Sequence, residues 1–170
     1  LSDVDLPKAK IELMWQEQSP ASIGLYKPLF MFSANPGSPL EPLNKVASGG
    51  EQSRVKLALK AALGKHITLS CQIFDEIDTG ISGATAEKVG NLMSVLANNQ
   101  QIITITHLPQ VASKGNTHWL ISKSSTETTT ESSVNVLTDK ARVEELARML
   151  SGAKITQAAK NQAEALLKAR

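Results

Sequence analysis

Residues 9–16 alternate strictly. Ala9, Ile11, Leu13 and Trp15 fall on one side, and Lys10, Glu12, Met14 and Gln16 on the other. That period predicts a half-buried strand. Residues 29–33 predict a second strand, with 19–28 as the connection. Asn35-Pro36-Gly37-Ser38-Pro39, followed by Pro42, is a loop that no strand can cross. From 51 to 63 the period becomes helical, with Val55, Leu59, Ala62 and Leu63 on one face and Arg54, Lys56 and Lys60 elsewhere. Gly64 is placed to stop that helix. Residues 67–74 are mostly apolar and bounded by turn signals, the mark of a strand buried on both faces of a parallel sheet.

Residues 79–83 read as a loop and 84–97 as a helix with Ala86, Val89, Met93 and Leu96 inward. Residues 101–106 predict another buried strand, ending on His107, and Pro109 begins a short helical turn. Residues 117–122 predict a strand containing Trp119. The Ser/Thr-rich run 124–133 predicts a hairpin loop into a strand at 134–137. Two helices close the chain. Asp139 can cap the first, with Val143, Leu146, Ala147 and Leu150 inward, and Thr156 can cap the second. No repeat is visible. Strands and helices alternate in the middle, so the expectation is an α/β fold: a mostly parallel sheet core, antiparallel hairpins at the ends, and flanking helices.

Composition narrows this modestly. A length of 170 residues suits one domain, 1–170, and 41% hydrophobic content is enough for a core. Lys and Arg number 18 against 16 acids, so the net charge of +2 does not advertise nucleic-acid binding. Cys71 is the single cysteine. It cannot form an internal disulfide and suits a reducing compartment. No apolar run approaches the roughly 18 residues of a membrane span, and the first residues lack a signal-peptide layout. A soluble cytoplasmic protein with no membrane partner, or a piece of one, is expected.

Chemistry concentrates in three places. Ser48-Gly49-Gly50-Glu51 heads the first helix. Ser48 and Glu51 have the spacing of a capping box, in which each side chain satisfies a backbone N–H of the helix start. Glycine in a helix costs about 1 kcal/mol relative to alanine. Two in succession suit close approach of an anion such as phosphate to the N–H groups and positive dipole end of the helix. A tight turn into the helix is the other reading. Asp75-Glu76 directly follows a buried strand, at the edge where open α/β sheets bind ligands. One carboxylate can hold Mg²⁺ and the other can orient or deprotonate an attacking water; capping the next turn is the alternative. His107 ends the following strand. If that strand adjoins the one ending in Asp75, its imidazole can donate to a phosphate oxygen; a backbone-bonded turn histidine is the plainer role. His66 and His118 lack such placement, and no zinc site is supported.

The order of these features is that of the C-terminal half of an ATP-binding-cassette-type ATPase. Ser48-Gly49-Gly50-Glu51 resembles the signature motif, residues 69–76 the Walker B strand, Asp78 with Gly80 the D-loop, and His107 the switch histidine. Transporter ATPases usually have Gln after the two glycines and Pro-Thr after Asp-Glu. Here Glu51 follows the glycines, and the second stretch is Phe74-Asp75-Glu76-Ile77-Asp78-Thr79-Gly80-Ile81-Ser82-Gly83. With Thr106-His107-Leu108-Pro109-Gln110-Val111-Ala112, it is similar to the RecN family, bacterial DNA double-strand-break repair ATPases related to SMC proteins. Ser33-Ala34-Asn35-Pro36-Gly37, Thr128-Thr129-Thr130 and Val143-Glu144-Glu145-Leu146-Ala147-Arg148-Met149-Leu150-Ser151-Gly152 resemble that family too.

A phosphate loop is absent. Gly64-Lys65 is the one Gly-Lys pair, His66 follows it, and no glycine stands at the required position upstream. The resemblance therefore implies the C-terminal lobe of an ABC/SMC-type P-loop NTPase head, with about half of an ATP site. In a complete member an N-terminal Walker A lobe and a coiled coil precede this lobe, and two heads form a homodimer that sandwiches two ATP molecules. Within that frame Asp75 would hold Mg²⁺ through water, and Glu76 would position the hydrolytic water. His107 would touch the γ-phosphate. Ser48, Gly49 and Gly50, with Glu51 beside them, would cap the γ-phosphate bound by the opposite head, and Asp78 would couple the two sites. The resemblance implies DNA as a partner. Two other readings stay open: a non-catalytic ATPase-like scaffold or DNA clamp, and a fragment of a transporter ATPase.

Overall fold

The computed structural model describes residues 1–22, 24–46, 48–64, 69–75, 78, 80–126 and 129–169. A 3-10 turn at Ser2–Val4 is followed by two long strands, β1 (Lys10–Ala21) and β2 (Gly24–Ser33), paired antiparallel from Lys10↔Ser33 to Ala21↔Gly24 with an irregularity between Glu17 and Ala21. The short β3 (Glu41–Pro42) adds to β2 through Met31↔Pro42 and Phe32↔Glu41. Much of the expected 19–28 connection is thus ladder. Pro28 is tolerated because it lies outside the stretch of β2 that β3 pairs, where the strand has an open side. Gly24 supplies the positive φ, 103°, on leaving the turn.

The alternation at 9–16 is real, but burial follows it only at the base of the hairpin. Ile11 and Phe32 join the core, whereas Leu13 and Trp15, expected inward, are exposed, Trp15 by 63%. The reason is geometric: β1 packs chiefly on β2, and the hairpin outruns the helices that cover its base.

The core lies between α1 (Gly49–Gly64), β4 (Cys71–Asp75), α2 (Gly83–Ala97) and the first six residues. All four inward positions expected of α2, Ala86, Val89, Met93 and Leu96, are buried. On α1, Val55 and Leu59 face the core as expected, but Ala62 and Leu63 are exposed, and Leu57 and Ala61 are buried instead. At 100° per residue the buried arc runs from Leu57 and Ala61 through Ala58 to Val55 and Leu59; Leu63 falls outside it, whereas Ala62 falls within it and is exposed all the same. α1 has this wide arc because it touches both the 3-10 turn and α2, and its Lys60 ammonium sits 4.9 Å from the centre of the Phe74 ring.

β4 departs from the expected two-sided burial. Gln72 and Phe74 point inward and Cys71, Ile73 and Asp75 outward. Among the described residues, helices cover one face only. Ile73, 59% exposed, lines an open apolar hollow with Lys60, Leu63, Leu69 and Gln72. Gln72 is tolerated inside because its Nε2 donates to Gln100 Oε1 at 3.0 Å. β5 (Gln101–Ile105) pairs with β4 in parallel, from Cys71↔Gln101 to Asp75↔Ile105. α2 crosses between them, and Gly90 lets the following α3 (Pro109–Ala112) approach closely: a Cβ there would stand 3.0 Å from Gln110 O.

The 3-10 turn is tied to α2 by Asp5, which adopts φ 60°. Thr85 Oγ1 donates to Asp5 Oδ2 at 2.6 Å and Lys88 Nζ to Oδ1 at 2.5 Å. These bonds, Lys88 first, hold the Asp5 carboxyl below the ordinary carboxylate range, and the Arg54 charge on α1 adds to the effect. A lowered folded-state pKa stabilises the fold above the unfolded-state value, and the contribution disappears as pH falls through the folded-state value. Asp5→Asn keeps a residue that accepts φ > 0 and removes the charge. Its melting temperature is expected below wild type at pH 7, with the gap narrowing as pH falls into the acid range; parallel curves would refute the linkage.

The C-terminal part begins with an antiparallel ribbon, β6 (Trp119–Ser125) and β7 (Thr130–Val136). Its strands reach further than the Ser/Thr-rich composition suggested, leaving only 126–129 as the turn. There Thr126 N–H donates to Thr129 O at 2.8 Å and Thr129 N–H to Thr126 Oγ1 at 3.1 Å. Glu127 and Thr128 lie outside the described residues. α4 (Asp139–Ser151) and α5 (Gln157–Lys168) form a second cluster around Leu146, Ala147, Ala159 and Ala163. Thr138, not Asp139, caps α4: Thr138 has extended backbone angles and its Oγ1 accepts from Ala141 N–H at 3.4 Å, whereas Asp139 is already helical. Thr156 caps α5 as expected, accepting from Ala159 N–H at 3.1 Å. Arg142, buried on α4, donates to the carbonyls of Ser113, Gly115 and Asn116, which fastens the segment after α3. Burial beside Arg142 lowers the pKa of His118 below the ordinary imidazole value. The architecture is α/β, with a parallel β4–β5 core, antiparallel hairpins before and after it, and flanking helices.

Candidate functional site

β4 and β5 run parallel and end level, Asp75 opposite Ile105. The carboxyl edge therefore presents Asp75 from one strand and Thr106 and His107 from the other. Asp75 is exposed, and the His107 side chain is 66% exposed. Glu76 lies outside the described residues, as do Ile77 and Thr79.

Asp78 behaves differently from its neighbours. It is fully buried, and Thr106 Oγ1 donates to its Oδ2. The same hydroxyl oxygen accepts from Leu108 N–H at 3.0 Å, and Asp78 O accepts from Ile81 N–H at 3.2 Å. The second carboxylate oxygen, Oδ1, is buried without a hydrogen bond among the described residues and lies 3.7 Å from His107 Nδ1. The loop after β4 and the turn after β5 are thus fastened through one buried carboxylate. Composition and spacing had drawn attention to His107 but not to Thr106. The available signal was a hydroxyl in the last strand position before a histidine.

The start of α1 adjoins this loop. Ser48 Oγ accepts from Glu51 N–H at 3.3 Å, so the serine arm of the expected capping box forms. Gln52 Nε2 donates to Val46 O at 2.5 Å and Gln52 N–H to Ser48 O at 3.1 Å, which fixes the chain on both sides of Ala47, itself outside the described residues. Gly49 does not adopt a positive φ, and a Cβ added to it would meet nothing within 4 Å. Among the described residues, neither backbone conformation nor a neighbour requires glycine there. What glycine leaves is open space over the helix start. Gly80, with φ 75°, rests against Gly50: a Cβ on it would stand 3.5 Å from Gly50 Cα. The signature-like segment, Asp78 and Gly80, and the Thr106–His107 turn are therefore held together by the contacts Gly50–Gly80 and Asp78–Thr106.

The donor set fits a nucleotide with Mg²⁺. No group of three or more His, Cys, Asp or Glu side chains converges among the described residues. Asp75 is a single outward carboxylate, and Mg²⁺ is commonly held by one or two carboxylates together with substrate phosphates and water. The open, Ser48-capped helix start offers N–H groups to an anion. No helix among the described residues is long and apolar enough to cross a membrane.

No family model matches the chain. It is 45% identical over 153 residues to DNA repair protein RecN of Xylella fastidiosa (strain Temecula1), an alignment covering 89% of this chain and 27% of that protein. The chain is a homologue of the RecN proteins. To RecN of Rickettsia conorii it is 44% identical over 167 residues, 98% of this chain and 31% of the relative. To RecN of Vibrio cholerae it is 39% identical over 169 residues, 98% and 30%. It thus spans about three tenths of the length of the RecN proteins it matches. Among solved structures, the Smc head domain with a coiled coil and joint from Pyrococcus yayanosii aligns with a TM-score of 0.67 at 19% identity, over 90% of this chain and 27% of that one. The Smc head of Pyrococcus furiosus aligns with a TM-score of 0.62 at 20% identity, over 88% and 35%. The chain shares the fold of part of these Smc heads.

Proposed function

We propose that residues 1–170 form a single domain, the C-terminal lobe of an ATPase head in a RecN-type protein of DNA double-strand-break repair. The observation that carries this reading is an exposed edge, the open helix start at Ser48–Gly49 and His107, held from beneath through Gly50, Gly80, the buried Asp78 and Thr106, in a chain without a phosphate loop. Such a surface presents anion-binding groups but lacks the loop that would grip a nucleotide. It completes a site rather than forming one.

In this reading the own N-terminal lobe grips ATP, which together with Mg²⁺ supplies the phosphoryl group and neutralises its charge. Asp75 would hold the metal, Glu76 would position the hydrolytic water, and His107 would donate to a γ-phosphate oxygen. Ser48 and the N–H groups at Gly49 and Gly50 are presented to the γ-phosphate held by a second head, with Glu51 completing the turn and Asp78 tying this surface to the switch. DNA is the partner that the RecN likeness supports, and the cytoplasm the compartment. A transporter role is disfavoured by the residues after Glu76, and a purely structural role by the adjacent Asp75 and Glu76, a pair that a scaffold does not need.

The test is Ser48→Arg in the whole protein, which fills the open space with a long cation. ATP hydrolysis is expected to fall about a hundredfold or more, the scale of losing a preorganised oxyanion donor. ATP-dependent dimerisation, followed by light scattering, should disappear while nucleotide binding persists. Unchanged turnover and dimerisation would overturn the proposal. The 170-residue chain by itself is expected to show no ATPase activity in a phosphate-release assay, and robust turnover by it would equally refute the half-site.

A further inference from the structure

We propose that Asp78 and Thr106 are positioning residues for His107: the Asp78 carboxylate, aimed by Thr106, takes the Nδ1–H of the imidazole so that Nε2 faces outward to the phosphate. The proposal rests on the reading of His107 given above and adds two residues to it.

The geometry supports each part. Asp78 is fully buried, a costly place for a carboxylate unless its oxygens find donors. Thr106 Oγ1 donates its one proton to Oδ2 and accepts from Leu108 N–H at 3.0 Å. That hydroxyl fixes the carboxylate plane and also the backbone on both sides of His107. The remaining oxygen, Oδ1, has no hydrogen bond among the described residues, and His107 Nδ1, at 3.7 Å, is the ring nitrogen facing it. A modest rotation of the largely exposed ring brings Nδ1–H within bonding distance. A carboxylate acceptor at Nδ1 selects the tautomer with its proton there, as carboxylate partners do for other functional histidines. The neutral ring then presents the Nε2 lone pair outward, and on protonation an Nε2–H that donates to a phosphate oxygen while Nδ1–H stays on Asp78.

The chain has three histidines, so their imidazole signals separate readily in two-bond ¹H–¹⁵N spectra of the ¹⁵N-labelled 170-residue chain. At a pH where the ring is neutral, His107 is expected to carry its proton on Nδ1. Thr106→Val should move the proton to Nε2, the tautomer free imidazole prefers, and Thr106→Ser should restore Nδ1. If Thr106→Val fails to fold by circular dichroism, Asp78→Asn provides the same test, because its amide can turn a donor toward Nδ1. A wild-type His107 protonated on Nε2, or a tautomer indifferent to the folded variants, overturns the proposal. In the whole protein Thr106→Val is expected to lower kcat about tenfold with KM for ATP unchanged, the scale of losing a partner that orients a functional histidine. The two readings fail separately. A whole protein without ATPase activity, beside the expected tautomers, removes the ATPase reading and leaves the positioning pair intact.

Discussion

Replacing Glu76 with Gln in the whole protein is expected to abolish steady-state ATP turnover while ATP binding survives. Removing a positioned general base costs about 10²–10⁴-fold in rate, and Gln keeps the shape of the side chain without its basicity. The ground for expecting this is the placement of the preceding residue. Asp75 ends β4 level with Ile105 of β5, and it is exposed at the carboxyl edge from which His107 also projects. Glu76 follows at once in the sequence. Hydrolysis by phosphate release, measured beside equilibrium binding of a fluorescent nucleotide, separates the two effects. ATP-bound dimer should accumulate in the variant because closure no longer leads to turnover. Unchanged hydrolysis would sink the assignment of Glu76.

Phe74→Ala is expected to destabilise the fold by about 3–5 kcal/mol, the range for truncating a buried aromatic to alanine. Phe74 is 1% exposed, belongs to the main core cluster, and carries the Lys60 ammonium over its ring at 4.9 Å. Ile73→Ala, one residue earlier, is the control. Ile73 lies 59% exposed on the opposite face of β4, so its truncation should change stability by only about 0.5 kcal/mol. Urea denaturation of the two variants, read at unchanged slope, checks both numbers. Equal losses would mean that β4 is buried on both faces in solution.

That contrast bears on what was legible in the sequence. The inward face of α2 was legible, because Ala86, Val89, Met93 and Leu96 repeat at helical spacing and the helix has one buried side, although the helix begins at Gly83 rather than Ala84. β4 was not: Leu69, Cys71 and Ile73 fall on one side of the run and Ser70, Gln72 and Phe74 on the other, yet it is Gln72 and Phe74 that are covered and Cys71 and Ile73 that are exposed. An apolar residue states a preference for burial; it does not create a neighbour. The same holds for Leu13 and Trp15 on β1, whose alternation extends past the helices. It also holds for Trp119, Ile121, Val134 and Val136, which lie together in register on one exposed face of the β6–β7 ribbon.

The functional residues divide in the same way. Ser48, Gly49, Gly50, Asp75 and His107 could be singled out in the sequence because a helix start and two strand ends place them by local geometry. Their chemistry needs little more than a backbone of known direction. The order of those motifs was also enough to point to a relative, because order and spacing survive as letters. Contacts across the fold are different in kind. That Gly80 rests on Gly50, that Asp78 is buried, and that its carboxylate takes the Thr106 hydroxyl across 28 positions of sequence depends on how α1, β4 and β5 pack. No local pattern encodes such packing. The sequence by itself determined which groups stand at the edge of the sheet. Only the tertiary structure decided which of them hold one another, because burial and hydrogen-bond partnership belong to pairs of segments rather than to either segment.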